Sequence, residues 1–375
     1  MPWHEVSVVE QRLEFVHLAQ QQGVSLAELC RRFGISRVTG YKWLARAESG
    51  QALADRSRCP QSSPRRTPEE IAEQVLSLRR QHPAWGGRKL AHRLLRLGFE
   101  DVPAPSTITH ILRRNGLIGP EQSAAAVPWH RFEHAAPNDL WQIDFKGDFA
   151  AGNRRCHPLT VLDDHSRYNL ILQACSSQNT PEVRGHLTRG FQRYGLPVRI
   201  NADHGQPWGS PAAEHGLSQL SIWLIRLGIR LSFSRIRHPQ TNGKDERFHR
   251  SLKAEVLGGP AFQSLDQAQR AFDRWRPVYN QQRPHEGIGY AVPADRYRPS
   301  PRRFPDKLPP IEYGPDDQVA VVGWDGKVRF KGRRLKVSNA LKDLPIALRP
   351  SASKEGHYDL YFCHHRFAHI DLRKA

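Results

Sequence analysis

Two aspartates stand in apolar surroundings, where a charged side chain has no role in packing. Asp144 lies within the apolar stretch at residues 141–145, and Asp203 follows a short apolar run that ends in a turn at Gly205. Neither position is explained by the burial of a hydrophobic face. We therefore interpret both aspartates as candidates for chemistry.

A third carboxylate, Glu246, lies where a polar loop at residues 238–245 opens into a predicted helix. An apolar stripe at residues 248, 252 and 256 faces the core, so another face of this helix points outward. A carboxylate beside basic side chains suits a metal ion next to a phosphate backbone. That face carries Glu246, His249, Arg250 and Lys253.

The charge balance indicates a polyanionic partner. The chain has 375 residues, with 56 Lys and Arg against 37 Asp and Glu, a net charge of +19 and a pI near 10.2. Nucleic acid is the usual partner of so basic a protein, although a basic soluble protein without such a partner is the alternative. The length favours two to four domains.

The cysteines and the apolar runs exclude several classes of protein. Five scattered cysteines without a CxxC pair argue against a disulfide framework and lack the strongest zinc signal. No run reaches the 18 or so apolar residues that a membrane helix requires. We expect a cytoplasmic protein with no membrane partner.

Residues 1–50 have the pattern of a helix-turn-helix domain. A capping box at Ser25 and Glu28 predicts one helix, Gly34 ends it, and Ser36 caps the next. The outward side chains of this second helix would read a major groove; they are Arg37, Thr39 and Lys42. A helical hairpin that binds nothing is the alternative. Gly40 counts against a rigid recognition helix.

Two further basic segments follow. Residues 51–66 read as a basic linker, which either lies along a minor groove or is solvated. Residues 67–120 begin with a capping box at Thr67–Glu70 and read as a second helix-turn-helix or winged-helix unit. The arginines predicted to contact DNA are Arg56, Arg58, Arg65 and Arg66 in the linker, and Arg113 and Arg114 in the second unit.

Residues 135–298 alternate strands and helices, which predicts an α/β domain around a mixed five-stranded sheet. Its first hairpin turns at Asp163, Asp164 and His165, which either bind a metal ion or satisfy their own backbone. Residues 299–315 read as a proline-rich linker, and residues 316–375 as a small basic β-barrel. Predicted DNA contacts in the barrel are Arg329, Lys331, Arg333 and Arg334.

Asp144, Asp203 and Glu246, in this order, resemble the catalytic carboxylates of the retroviral-integrase core of bacterial insertion-sequence transposases, in particular the group numbered four-eighty-one. The likeness extends to the paired helix-turn-helix units and to the stretch at residues 275–285. Two departures are His204, where the family often has Asn, and a long gap between Asp203 and Glu246. Asp245 is thereby a rival for the role of Glu246, which we prefer because the family glutamate directly precedes this basic helix face.

The resemblance implies a ribonuclease-H-like fold and a DNA-joining enzyme that needs magnesium or manganese. Two ions about 3.5–4 Å apart would stabilise the attacking and leaving oxygens of an in-line displacement. Expected partners are the double-stranded DNA of element ends and target, and further copies of the chain in a dimer or larger synaptic complex. We expect nucleoid association in a bacterium, with core DNA contacts from Lys244, His249, Arg250 and Lys253.

Two other functions stay open at the level of sequence. One is a sequence-specific DNA-binding regulator with an inactive core, against which the intact set of three carboxylates argues. The other is a nuclease of the same fold, which cuts without joining.

Overall fold

The computed structural model describes residues 7–21, 23–57, 66–118, 133–203, 205–209, 216–233, 243–351 and 355–373. The chain divides into two compact units, residues 1–66 and residues 67–375, which are described separately. In the described part, every helix is too short or too polar to span a membrane.

The first unit is a three-helix domain with α1 Val8–Ala19, α2 Leu26–Arg32 and α3 Arg37–Glu48. Phe15, Cys30 and Trp43 are buried in its centre. The Ser36 hydroxyl accepts a hydrogen bond from the Thr39 amide at 3.2 Å, as predicted. The predicted capping box at Ser25 is wrong, because the Ser25 side chain makes no capping bond.

Gly40 has a packing role that the sequence did not reveal. It is buried in α3, and a Cβ atom there would lie 2.6 Å from the Cys30 sulfur and 3.0 Å from the Phe15 ring. The absence of a side chain lets α3 pack closely on α1 and α2. Gly40 is therefore a helix-packing residue of the recognition unit.

The second unit begins with three helices, α4 Glu69–Gln81, α5 Gly87–Arg96 and α6 Pro105–Arg114. The predicted capping box at Thr67–Glu70 is wrong, because the helix begins after Pro68 without a side-chain cap. Helix α5 also contacts residues near 290, where His92 stacks on Tyr290 at 4.1 Å and Arg96 pairs with Asp295 at 2.6 Å. These helices are thus attached to the core domain.

The core contains one mixed sheet. Its strands are β1 Leu140–Phe145, β2 Phe149–Ala151, β3 Arg154–Asp163, β4 Asn169–Cys175, β5 Arg199–Ala202 and β6 Arg230–Phe233. Strand β3 pairs antiparallel with β1, β2 and β4, whereas β1, β5 and β6 pair in parallel. The sheet has six described strands rather than the predicted five, because a short hairpin adds β2 beside the start of β3.

Helices cover the sheet and the region after it. They are α7 Thr180–Tyr194, α8 Gln219–Arg226, α9 Gly243–Leu252, α10 Leu265–Pro277 and α11 Pro293–Arg296, with π-helical turns at Lys253–Leu257 and Val278–Gln282. Helix α8 is shorter than the apolar spacing at residues 211–227 predicts, because Ser218 caps it. Residues 210–215 lie outside the described part.

The C-terminal region is rich in β-structure. Strands β7 Gln318–Val321, β10 Pro345–Pro350, β11 His357–Phe362 and β12 His365–Asp371 form an antiparallel sheet in the order β12-β11-β10-β7. Strands β8 Lys327–Phe330 and β9 Arg333–Lys336 form a separate hairpin. Residues of the sheet and of the hairpin pack in one hydrophobic core, which includes Val328, Leu348 and Leu360. The region predicted as a small β-barrel is therefore β-rich, with its described strands paired as one sheet and one hairpin.

The proline-rich segment at residues 299–315 is fixed to the core and is not a free spacer. Arg302 donates hydrogen bonds to the carbonyl oxygens of Pro197, Leu227 and Gly228. The Ser300 hydroxyl donates to the Leu196 carbonyl at 2.7 Å. These bonds join the segment to the loops at the start of β5 and β6.

A pair of helical glycines tests the packing role of Gly40. Gly40→Ala should destabilise the first unit by about 1–3 kcal/mol through overpacking, which exceeds the roughly 1 kcal/mol of helix propensity gained. Gly185→Ala in α7 meets no atom within 4 Å and should stabilise the second unit by about 0.5–1 kcal/mol. Amide hydrogen exchange of α3 and α7 in the full chain measures both. Faster exchange in α3 is expected only for Gly40→Ala; unchanged α3 exchange would contradict the packing role.

Candidate active site

Asp144 lies near the carboxyl end of the central strand β1, opposite Thr160 of β3. Its side chain is 26% exposed, so it reaches solvent from a largely buried position. One of its carboxylate oxygens, Oδ1, accepts a hydrogen bond from the Phe145 amide at 2.8 Å. This leaves Oδ2 for other partners.

Asp203 follows β5, the parallel neighbour of β1. The pairing of Trp141 with Ile200 and of Gln142 with Asn201 brings the carboxyl ends of both strands to the same edge. Asp203 is exposed there, and its Oδ1 accepts a hydrogen bond from the Gly205 amide at 3.0 Å. A Cβ atom at Gly205 would lie 3.2 Å from this carboxylate, so glycine suits the close approach.

Glu246 lies in the first turn of α9 and is exposed. Burial, the charge of Asp203 and the charge of Glu246 raise the pKa of Asp144 to about 6, against the favourable Phe145 bond. The three carboxylates therefore share one negative field. Their oxygen atoms do not all lie within 4.8 Å of one another, an open arrangement that suits like charges.

Asp245 is placed differently from its neighbour Glu246. It is 1% exposed, and its pKa is raised well above the usual range by burial and by the charges of Asp144 and Asp164. Its Oδ1 has no hydrogen-bond partner among the described residues. Asp245 thus faces the interior, whereas Glu246 faces solvent.

His249 is half-buried, unlike its exposed neighbour Arg250, and its predicted DNA contact stays a prediction. Its side chain is 14% exposed, and its Nδ1 lies 3.9 Å from Oδ2 of Asp144. The Thr160 hydroxyl donates to the Asp144 carbonyl, so it accepts from Nε2–H of His249 at 2.9 Å. Burial and the charge of Lys146 lower the pKa of His249 to about 4, so the ring is neutral near pH 7.

Lys244 forms an ion pair with the buried Asp164, and its predicted DNA contact also stays a prediction. The two side chains are 19% and 2% exposed. Asp164 also accepts hydrogen bonds from the Gln142 side chain at 2.7 Å and from the His134 amide at 2.9 Å. The pair joins the beginning of α9 to the β3–β4 turn and hence positions Glu246.

The C-terminal end of this helical segment, the π-helical turn after α9, is held by the stretch at residues 275–285. Arg283 pairs with Glu255 at 2.8 Å, and both side chains are less than 10% exposed. Trp275 donates to the same carboxylate at 2.9 Å. Tyr279 packs edge-on against Phe248 with ring centres 4.9 Å apart, so these aromatic residues belong to the core.

The β3–β4 turn satisfies its own backbone, which was one of its two interpretations. Asp163 accepts bonds from the amides of Asn138 and Ser166 and from the Ser166 hydroxyl. The adjacent Asp164 neutralises Lys244. The sequence did not reveal this role, since the two residues of the pair are 80 positions apart.

The DNA-contact roles of the other predicted residues also stay predictions, and most of the described ones are exposed. Thr39 and Arg333 are half-buried, and Arg58 and Arg65 lie outside the described residues. Sequence analysis missed the exposure of Val38 and Tyr41 on α3, which are 80% and 62% exposed. The exposed predicted residues are Arg37, Lys42, Arg56, Arg66, Arg113, Arg114, Arg250, Lys253, Arg329, Lys331 and Arg334.

Several family models match consecutive parts of the chain. Residues 134–239 and 227–293 match models of the integrase core domain. Residues 7–55 and 39–112 match models of a homeodomain-like domain. Residues 317–375 match the C-terminal domain of the IS481 family transposases.

Curated relatives come from bacterial insertion elements. The uncharacterized 31.7 kDa protein of IS407 from Burkholderia multivorans is 29% identical over 43% of this chain and 55% of its own length. The uncharacterized 39.2 kDa protein of IS476 from Xanthomonas euvesicatoria is 27% identical over 60% of this chain and 64% of its own length. The chain thus spans less than two thirds of each relative.

A solved structure of the simian T-cell lymphotropic virus intasome with the PP2A regulatory subunit B56 gamma also matches. It is 15% identical, with a TM-score of 0.38, over 80% of this chain and 99% of the other. At this score the likeness carries no argument about function.

The Lys244–Asp164 pair leads to a test on one helix. Lys244→Met should destabilise the second unit by about 3–5 kcal/mol, because Asp164 is left buried without a counter-charge. Lys253→Met, on the exposed part of the same helical segment, should change the unfolding free energy by less than about 0.5 kcal/mol. Adding Asp164→Asn to Lys244→Met should recover part of the loss. Denaturant unfolding of the four proteins measures this; equal effects of the two lysine variants would exclude the positioning role.

Proposed function

We propose that this chain, a bacterial insertion-sequence transposase with an integrase-type core, cleaves and joins DNA with Asp144, Asp203 and Glu246 as ligands of divalent metal ions. The observation that carries the proposal is the placement of Asp144 in a partly buried position next to two further carboxylates: burial first, and then the charges of Asp203 and Glu246, raise its pKa. The negative field of these charges destabilises the metal-free site, and a bound cation relieves it.

The three side chains fit magnesium or manganese. All donors are hard carboxylate oxygens, and the exposed Asp203 and Glu246 leave room for waters and phosphate oxygens. Two such ions, when bound, stabilise the attacking and leaving oxygens of an in-line displacement. Water attacks the phosphodiester at the element end, and the freed 3′-hydroxyl then attacks target DNA.

Glu246 is a better ligand candidate than Asp245. A metal ligand must be ionised and must reach the substrate side of the site. Glu246 is exposed, whereas Asp245 is buried with a strongly raised pKa. Burial therefore favours the protonated form of Asp245.

Other residues of the core support the reaction without binding the ions. His249 donates to Thr160, which in turn donates to the Asp144 carbonyl, so the strand end is held in place. Arg250 and Lys253 are exposed farther along α9, where they would contact backbone phosphates. Such contacts position DNA but carry no sequence information.

Element-end recognition belongs to the first unit in this proposal. Arg37 and Lys42 are exposed on α3 and offer donors to base edges and phosphates. The exposed Val38 and Tyr41 add apolar surface for thymine methyl groups. The basic hairpin β8–β9 and the second helical unit would add phosphate contacts.

Assembly follows from the reaction. Joining two element ends to one target requires two active sites, so we propose a dimer or larger oligomer on DNA, at the bacterial nucleoid in the cytoplasm. A nuclease of the same fold would cut without joining, and a regulator would bind without cutting. An assay that scores cleavage and strand joining separately distinguishes the three.

Catalysis is tested by removing one charge at a time. Asp144→Asn, Asp203→Asn and Glu246→Gln should each lower strand transfer by more than about 10²–10³-fold, because metal binding itself fails. Asp245→Asn is the matched control and should retain most activity, since burial favours the neutral form of Asp245, which Asn resembles. Strand transfer above about a tenth of wild type in any of the three ligand variants, or loss only in Asp245→Asn, would overturn the assignment.

The division of DNA contacts is tested with two variants of the full chain. Arg37→Ala should cost about 1–3 kcal/mol on the cognate element end and much less on a scrambled duplex, because base contacts specify sequence. Lys253→Ala should weaken binding to both duplexes alike and reduce the salt slope by about one unit. Titrations at two salt concentrations measure this. Equal losses of Arg37→Ala on both duplexes would place end recognition elsewhere.

A further inference from the structure

The corner between β4 and α7 brings together three side chains of different chemistry. Cys175 ends β4, and Glu182 and His186 lie four residues apart on the same face of α7. A thiol sulfur, a carboxylate oxygen and an imidazole nitrogen from these residues all lie within 4.8 Å of one another. Cys175 is buried, whereas Glu182 and His186 are half-buried and open a route to solvent.

One carboxylate oxygen of Glu182 keeps a lone pair with which it could bind a metal ion. Oε1 of Glu182 accepts one hydrogen bond, from the Ser176 amide at 2.8 Å. Oε2 accepts three, from the Ser176 hydroxyl and from the amide and hydroxyl of Ser177. Because each carboxylate oxygen has two lone pairs, Oε1 has one left. Burial opposes ionisation, but these bonds outweigh it and lower the pKa of Glu182, so the group is anionic.

The other two groups are neutral. Burial and the charge of Glu182 raise the pKa of Cys175 to about 12, so the thiol keeps its proton. Burial and the charge of Arg189 lower the pKa of His186, so the imidazole is neutral. A neutral imidazole is the form that binds metal ions.

We propose that Cys175, Glu182 and His186 bind a thiophilic divalent cation of the zinc class, with water as a fourth ligand. Sulfur, nitrogen and a single oxygen suit zinc, whereas magnesium and manganese prefer oxygen ligands alone. On binding, the S–H bond of Cys175 breaks, a sulfur–metal bond forms and the proton goes to solvent. The cation would fix the strand–helix corner.

Arg189 opposes this binding. Its guanidinium donates a hydrogen bond to Nδ1 of His186 at 2.6 Å, so the ring proton resides on Nε2. A cation that binds Nδ1 must displace Arg189. A cation that approaches Nε2 meets a protonated nitrogen, which cannot bind it. Because Arg189 is exposed, its side chain can turn away into solvent. Removing it should therefore strengthen binding.

The cluster is separate from the proposed catalytic carboxylates. Asp144 pairs with Thr160, and Thr160 pairs with Leu172 of β4. Cys175 lies two strands away and three residues farther along, so the two backbone positions are roughly 14 Å apart from standard strand spacings. Cys156 packs in the cluster of Leu172 and Phe248, whereas Cys175 packs with Trp141 and Val161.

The experiment uses the full chain without DNA and Co²⁺ as the spectroscopic probe. A thiolate ligand gives a sulfur-to-cobalt charge-transfer absorption, which carboxylate ligands alone do not give. Wild type and Asp203→Asn should both show this band, since Asp203 belongs to the other site. Cys175→Ala and His186→Ala should lose it or weaken Co²⁺ binding by more than about tenfold. Zn²⁺ should displace the cobalt and abolish the band.

Matched controls separate this site from general effects. Cys156→Ser removes a second buried cysteine, which lies near Cys175 and Glu182 but is not one of the three proposed ligands, and it should keep the band. Arg189→Ala should tighten Co²⁺ binding several-fold. Circular dichroism checks folding; if Cys175→Ala unfolds, the half-buried His186→Ala decides. No band in folded wild type, a band that survives in folded Cys175→Ala or His186→Ala, or loss only in Cys156→Ser would overturn the proposal. Strand transfer should persist in Cys175→Ala, so failure here is independent of the proposed catalytic function.

Discussion

The fold holds negative charge at one edge of a sheet. The parallel pairing of β1 with β5 brings Asp144 and Asp203 together, and α9 adds Glu246. Burial and the repulsion between like charges both disfavour the ionised form of Asp144, and together they raise its pKa. The rest of the domain must hold this arrangement against that repulsion. In our proposal, the binding of a divalent cation relieves the repulsion.

Buried ion pairs supply much of this restraint. Lys244 with Asp164 holds the beginning of α9, and Arg283 with Glu255 holds the π-helical turn after it. A buried pair is weak evidence for net stability, but losing one partner is costly, which makes the position of the helix specific. The helix that carries Glu246 is thus fixed at both ends by residues distant in sequence. This explains why the stretch at residues 275–285 accompanies the carboxylates.

Local sequence patterns predicted strands and helices of the core and of the first unit. The apolar runs predicted strand β1, which contains Asp144, and strand β5, which Asp203 follows, and the capping and spacing pattern predicted helix α3. The same spacing grouped His249 with Arg250, because periodicity shows the face of a residue but not its partner. Thr160 and Asp164, which bind His249 and Lys244, are 89 and 80 residues away in sequence. Strand pairing in the C-terminal region also depends on contacts between residues distant in sequence. The packing role of Gly40 likewise depends on Cys30 and Phe15, which lie on other helices.

The central claim is that repulsion among the three carboxylates is relieved by a divalent cation, and stability against pH tests it most directly. Because the folded-state pKa of Asp144 lies above its usual value, ionising it destabilises the fold as pH rises from about 4 to above 6. A shift from 3.8 to about 6 corresponds to roughly 3 kcal/mol. With EDTA, the unfolding free energy of Asp144→Asn should increase relative to that of wild type by roughly 2 kcal/mol between pH 4.5 and pH 7.5, since about 1 kcal/mol of the effect is already present at pH 4.5. Adding Mg²⁺ at pH 7.5 should restore wild type and leave Asp144→Asn unchanged. If the difference in unfolding free energy between Asp144→Asn and wild type depends on neither pH nor Mg²⁺, the account is contradicted.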